Sequence, residues 1–108
     1  MIQVGETSFK RVKVLLKSSG LTEFQKSVLI EVSRIPRGHT ITYERLAKRI
    51  DHPKASRAVG TALKRNPFPI IIPCHRVVRS DGSVGQYSFG GTKAKKALLI
   101  KEGAMAKD

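Results

Sequence analysis

The sequence predicts a mainly helical domain carrying one short β-hairpin or extended segment, and three observations lead to that expectation. Apolar residues recur at i, i+3, i+4 and i+7 in stretches that open on a capping residue and stop at glycine or proline. The pattern is interrupted by Pro67-Phe68-Pro69-Ile70-Ile71-Ile72-Pro73-Cys74-His75-Arg76-Val77-Val78, where three prolines in seven positions fix φ, remove donors and favour extended neighbours. At 108 residues the chain is long enough for one modest core and too short for a second.

Taken in order, the first stretch carries the weakest pattern. Val12, Val14 and Leu16 alternate with Lys13, Leu15 and Lys17, which predicts extended structure, although Phe9, Val12 and Leu16 also fit one helical face. Residues 1–20 are therefore set apart as an extension and residues 21–108 as the working domain. Thr22 and Gln25 have capping-box spacing, and Phe24, Val28, Leu29 and Val32 form the inward stripe of a first helix that Pro36 and Gly38 stop. Thr42 caps a second helix with Tyr43, Leu46, Ala47 and Ile50 inward. After Asp51-His52-Pro53, with Pro53 suited to a first turn, a third helix has Ala55, Ala58, Val59, Ala62 and Leu63 inward and Arg57, Gly60, Thr61 and Lys64 outward. Two short helices joined tightly, the second presenting small residues flanked by cations, form a helix-turn-helix pattern.

Beyond the proline-rich stretch, Asp81-Gly82 signals a tight reversal or hairpin, and Gln86-Tyr87-Ser88-Phe89-Gly90-Gly91 reads as a glycine-bounded loop. Thr92 opens a last helix that Gly103 ends, with Leu98 and Leu99 inward. Glu102 shares that inward face, although the helix dipole disfavours a carboxylate there.

Twenty-one Lys and Arg against eight Asp and Glu give a net charge of +13, spread from Lys10-Arg11-Lys13 to Lys93-Lys95-Lys96. A folded domain this positive points to a polyanion, and nucleic acid ranks ahead of lipid because no stretch has a large aromatic-rich apolar face. Small side chains on the third helix let its backbone approach a groove, while Lys and Arg meet phosphates. The single cysteine cannot form an internal disulfide, and with three scattered histidines it lacks structural-zinc spacing. A free thiol is thus expected in a reducing compartment, with no metal or cofactor. No leader or membrane span is visible, which predicts a soluble, intracellular protein.

Cys74, His75 and an inward Glu102 supply a nucleophile, a base and an orienting acid. A free thiol has a pKa of about 8.5, so little is thiolate at neutral pH, and an imidazole held by a carboxylate can take its proton directly or through water. Neighbours on a strand point to opposite faces, so the sequence predicts a bridging water or a bend at Pro73. Asn66 reads either as a helix C-cap or as a tie between its turn and the Cys74 segment. On the bare residues, a small buried hydrophobe remains the alternative for Cys74.

Pro73-Cys74-His75-Arg76-Val77, preceded by Asn66-Pro67-Phe68-Pro69-Ile70-Ile71-Ile72, resembles the active-site motif of the O6-alkylguanine-DNA alkyltransferases, also called methylated-DNA-protein-cysteine methyltransferases. The resemblance extends from about Leu21 to Gly103 and takes in Thr42-Tyr43, Ala55 to Gly60 and Glu102-Gly103. It implies a winged helix-turn-helix-like DNA-binding domain that binds the minor groove of double-stranded DNA as a monomer and flips O6-alkylguanine from the stack. It further implies that the alkyl group moves once, irreversibly, to Cys74. By the same resemblance Tyr43 donates to guanine N3 and Arg57 fills the gap in the duplex, with Ala55, Ser56, Gly60, Thr61 and Lys64 against DNA. Asn66 braces the active-site turn, His75 and Glu102 relay the thiol proton through water, and Lys95 lies near O6. Tyr87 and Ser88 form the binding loop, with Pro69 and Val84 supporting the pocket.

Two departures from the family pattern stand out. Only about twenty residues precede the match in place of the usual N-terminal domain, which points to a minimal standalone form or a cut-down piece. Phe89 is also an extra residue in a loop that usually reads Tyr-Ser-Gly-Gly. The rival reading is a non-enzymatic alkyltransferase-like protein that recognises the lesion and recruits repair factors. Such proteins typically carry tryptophan in place of the cysteine, whereas this chain has Cys74 and no Trp. A helix-turn-helix regulator, the third candidate, would have no use for Cys74, His75 and Glu102 together.

Overall fold

The computed structural model describes the backbone of residues 4–105 and side chains from Lys10 onward, so the expectation for Phe9 lies outside the described side chains. Val4–Leu16 form a helix, α1, and not an extended segment. Burial gives the reason: Val12 and Leu16, four apart, are buried, whereas Val14, which strand alternation would put beside them, is 66% exposed. The helical period therefore wins.

Helix α2 (Glu23–Val32) starts on the expected capping box, with Thr22 Oγ1 accepting from Gln25 N and Gln25 Oε1 accepting from Thr22 N, both at 3.1 Å. Val28, Leu29 and Val32 are fully buried along one stripe. Strand β1 (Ile41–Thr42) runs directly into α3 (Tyr43–Arg49), where Thr42 Oγ1 accepts from Arg45 N at 3.1 Å and caps the helix. Asp51, at φ 62, turns the chain out of α3. Helix α4 then spans Ser56–Lys64, so Pro53 lies in the turn before it and not in its first turn. Val59, Ala62 and Leu63 are buried as expected, whereas Ala58 is exposed because it sits one residue off that stripe. α3, the turn and α4 form the helix-turn-helix, with α4 packed on both α2 and α3.

The proline-rich segment departs from the extended expectation at its functional end. Pro73, at φ −80 and ψ 65, makes an inverse γ-turn closed by Cys74 N donating to Ile72 O at 2.8 Å. Cys74–Arg76 then form one 3-10 turn, with Arg76 N donating to Pro73 O at 2.9 Å. Strand β2 (Val77–Val78) follows and pairs with β1 in parallel, Ile41 opposite Val77. The Asp81-Gly82 reversal is present, but it returns no hairpin strand. Asp81 Oδ1 accepts from Ser83 N and Ser83 Oγ, and Gly82 N donates to Arg79 O, so the turn satisfies itself locally.

The final helix, α5, spans Gly91–Lys101 and packs against the 3-10 turn. Thr92 does not cap it; its hydroxyl donates to Gly85 O at 3.4 Å, and Gly90 occupies the cap position. Val12, Leu29, Ile41, Leu46, Val59, Ile72 and Val77 bring α1 to α4 and both strands into one core, Cys74 itself belongs to it, and Ala94 and Leu98 of α5 pack against it.

Candidate active site

The turn that presents Cys74 is held from below by Asn66. Its Nδ2 donates to Ile72 O and its Oδ1 accepts from Phe68 N, both at 2.9 Å. One buried amide thus closes the loop between α4 and the cysteine, which selects the tie over the plain C-cap. Ile70, at φ 74 and largely exposed, turns the chain at the loop's outer end, an unusual conformation for a β-branched residue.

Cys74 is 6% exposed and faces a cavity of about 720 Å3. Tyr43 of α3 lines one side of it, and Ser56, Arg57, Gly60, Thr61 and Lys64 of α4 line another. Tyr87 and Ser88 of the loop close it. Gly85, at φ +80, lets that loop come close to Tyr43, since a Cβ there would stand 3.0 Å from the tyrosine hydroxyl. Besides Asn66 beneath the turn and His75 and Glu102 behind it, four expected site residues stand apart from this cavity. Ala55 precedes α4 outside the lining, Val84 is buried in the loop, Pro69 lines a separate groove, and Lys95 is buried under the loop. Lys95 Nζ donates to Gln86 O at 3.2 Å and sits 5.7 Å from the centre of the Tyr43 ring.

Successive residues of a 3-10 turn point about 120° apart. Cys74 consequently faces the cavity while His75 turns inward, only 1% exposed, towards the end of α5. His75 Nε2 lies 3.0 Å from Glu102 Oε2, but the contact is not aligned as a hydrogen bond, and neither ring nitrogen has a protein hydrogen-bond partner. The carboxylate is instead clamped by Arg76, whose Nε donates to Oε1 at 2.9 Å and Nη2 to Oε2 at 2.8 Å. The remaining amino group, Nη1, donates to Ile35 O at 2.8 Å. The dipole penalty on Glu102 is thus offset by a bidentate guanidinium.

Charge follows this geometry. Arg76, with His75 behind it, holds the Glu102 carboxyl down at about 2 despite its burial. Burial lowers the His75 pKa even against Glu102, so the imidazole is neutral at pH 7. Burial raises the Cys74 thiol, while hydrogen bonding from Asn66 and the positive charge of Lys95 pull the other way. Burial also lowers Lys95, to about 8, and raises Tyr43, which stays a phenol donor. Among the described residues no group of three His, Cys, Asp or Glu side chains is placed to hold a metal.

The chain matches the family described as "6-O-methylguanine DNA methyltransferase, DNA binding domain" over residues 23–104. It belongs to that family. A methylated-DNA–protein-cysteine methyltransferase of Methanothermobacter thermautotrophicus is 53% identical over 89 residues, 82% of this chain and 49% of the relative. Among solved structures, Mycobacterium tuberculosis OGT in complex with DNA matches with a TM-score of 0.74 and 44% identity, over 76% of this chain and 49% of that one. Schizosaccharomyces pombe Atl1, in complex with damaged DNA containing O6-carboxymethylguanine, matches with a TM-score of 0.67 and 32% identity, over 77% of this chain and 78% of that one. The chain spans about half the length, or less, of the curated relatives it matches.

Within this methyltransferase-family fold, two residues escaped the sequence reading. Arg76 received no role from the sequence beyond its place in the motif, yet it is the group that fixes Glu102. The signal for it was an inward carboxylate with only Leu98 and Leu99, and no cation, at the i−4 and i−3 positions of its own helix. Arg79 lines the cavity beside the reversal, and only the loop's path reveals that.

Proposed function

We propose that this chain repairs O6-alkylguanine in duplex DNA by moving the alkyl group to Cys74, once per molecule. The observation that carries this reading is the shared cavity, in which the Cys74 thiol and the outer face of α4 line one space. Its size suits a single flipped base. DNA held on α4 through its minor groove would present that base, with Arg57, exposed on α4, entering the gap. Ser56, Gly60 and Thr61 allow close approach, and Lys64 meets phosphate.

In the proposed reaction His75 takes the Cys74 proton through a water, and the Glu102 carboxylate, held by Arg76 and 3.0 Å from His75 Nε2, stabilises the imidazolium that forms. The sulfur attacks the alkyl carbon, an S–C bond forms, and the C–O6 bond breaks with its electron pair going to guanine. Tyr43 donates towards N3 as that charge develops, Lys95 stands on the O6 side, and the proton released by the thiol ends on guanine. A neutral His75 and a protonated Tyr43 are the forms these roles need, and the direction of each pKa supports them. The product is a thioether, a poor leaving group, so the protein is spent. No cofactor enters the scheme. Residues 21–108 form the DNA-binding and catalytic unit, acting as a monomer in a reducing, intracellular setting. Among the described residues no helix is long and apolar enough to cross a membrane.

The similarity to Atl1, of which the chain covers 78%, favours a second reading as a lesion-recognition protein without chemistry. Cys74 facing the cavity argues for transfer. Incubation with a duplex containing O6-methylguanine, followed by intact-mass analysis, separates the two. Transfer predicts one added methyl group on Cys74, lost in Cys74→Ala; tight lesion binding without a mass change would support recognition alone.

A further inference from the structure

Tyr87 is a partition between two spaces. One side of it lines the Cys74 cavity, and the other lines an apolar groove of about 510 Å3 formed with Pro69, Phe89, Ala94 and Leu98. A partition of this kind can retreat into the space behind it unless something stands there. Phe89 does, with its ring centre 5.5 Å from that of Tyr87 at an interplanar angle of 73°, an edge-to-face contact. On its inner side the Tyr87 ring meets His75 edge-on at 6.4 Å. Tyr87 is thus held between the histidine and Phe89 and is only 8% exposed, whereas Phe89 itself is 37% exposed.

The loop's backbone keeps Phe89 on station. Gly91 N donates to Tyr87 O at 2.9 Å, so the two aromatic residues are joined by a closed turn. Gly90 permits that turn at φ +121, and a Cβ there would stand 2.7 Å from Ala94 Cβ, so the loop lies directly on α5. A half-exposed phenylalanine gains little from its own burial here. Its contact with the partition is the feature that gives the residue a use.

We propose that Phe89 is a positioning residue that backs Tyr87 and thereby limits the size of the alkyl group the Cys74 cavity accepts. The inference rests on the alkyl-transfer reading. Phe89 touches neither thiol nor base in this account; it decides whether the Tyr87 wall can give way to a bulky group.

The test uses two duplexes of one sequence, carrying O6-methylguanine or O6-benzylguanine at the same position, with single-turnover rates of Cys74 alkylation followed by mass. Phe89→Ala is expected to raise the benzyl-to-methyl rate ratio by about three- to tenfold, the span of one aromatic edge contact. Phe89→Tyr, which keeps the ring edge, is expected to hold the parent ratio. The ratio is taken within each variant, so a general loss of stability cancels from it. Should Phe89→Ala lose its helical circular dichroism, Phe89→Val carries the test, since its smaller side chain leaves part of the space behind Tyr87 open and should move the ratio the same way. A parent chain that alkylates normally with a ratio unchanged or lowered in these variants overturns the role of Phe89 alone. A parent that accepts neither group overturns the transfer reading and this inference with it.

Discussion

Glu102→Gln removes one charge from the Arg76 clamp while keeping the side chain's shape. The carboxylate and the guanidinium it neutralises are 8% and 14% exposed, so the charge left on Arg76 would be largely cut off from water. Holding the carboxyl at about 2 instead of 4.5 corresponds to roughly 3 kcal/mol of folding stability. That agrees with the roughly 3–5 kcal/mol cost of removing one partner from a buried pair. Urea unfolding at pH 7, followed by circular dichroism, should show the midpoint falling by about 1–3 M for a domain of this size. The acid dependence has a definite sign. A depressed carboxyl pKa stabilises the fold fully above its unfolded value, and that contribution is lost as pH falls from about 4.5 towards 2. The gap between parent and variant should close over that interval. A loss below about 1 kcal/mol at pH 7, or a gap that persists at pH 2, would refute the clamp as a buried, charge-dependent contact.

Two further outcomes follow from the cavity. Arg57→Ala should slow alkyl transfer from a duplex by about tenfold or more while leaving reaction with free O6-benzylguanine nearly unchanged, because only the duplex has a gap to fill; equal losses would reject the flipping role. Lys95→Met should raise the Cys74 thiol pKa further, since the lysine's charge now lowers it. The pH profile of iodoacetamide labelling reads that shift, and a midpoint that stays or falls would contradict the electrostatic link.

Local signals carried much of the fold. Thr22 and Thr42 cap where their spacing requires, because a capping bond involves residues three apart and depends little on the rest of the molecule. The misread parts share a cause, which is competition settled by long-range packing. Val12 and Leu16 fit both periods, and only the core beneath them decides for a helix. The prolines excluded a helix through residues 67–73, yet Pro73 turned the chain tightly where it had been expected to stay extended. That single turn redirected three side chains, sending Cys74 to the cavity, His75 inward and Arg76 onto Glu102. Of the two alternatives left open, a bridging water or a bend at Pro73, the bend is present, and its consequence for Arg76 was legible only once α5 was in place. The parallel β1–β2 pair was likewise invisible, since its paired residues lie 36 positions apart, Ile41 opposite Val77 and Thr42 opposite Val78, and no local pattern announces so short a ladder.

The central claim is that Cys74 is an alkyl acceptor and not merely a buried thiol beside a DNA-binding helix. The most direct measurement is the intact mass of the protein after incubation with a duplex bearing one O6-methylguanine, with peptide mapping of the product. The account predicts a single added methyl group located on Cys74 and restored guanine in the DNA. Tight binding of the lesion with the protein's mass unchanged and the O6-methyl group still on the base would contradict it.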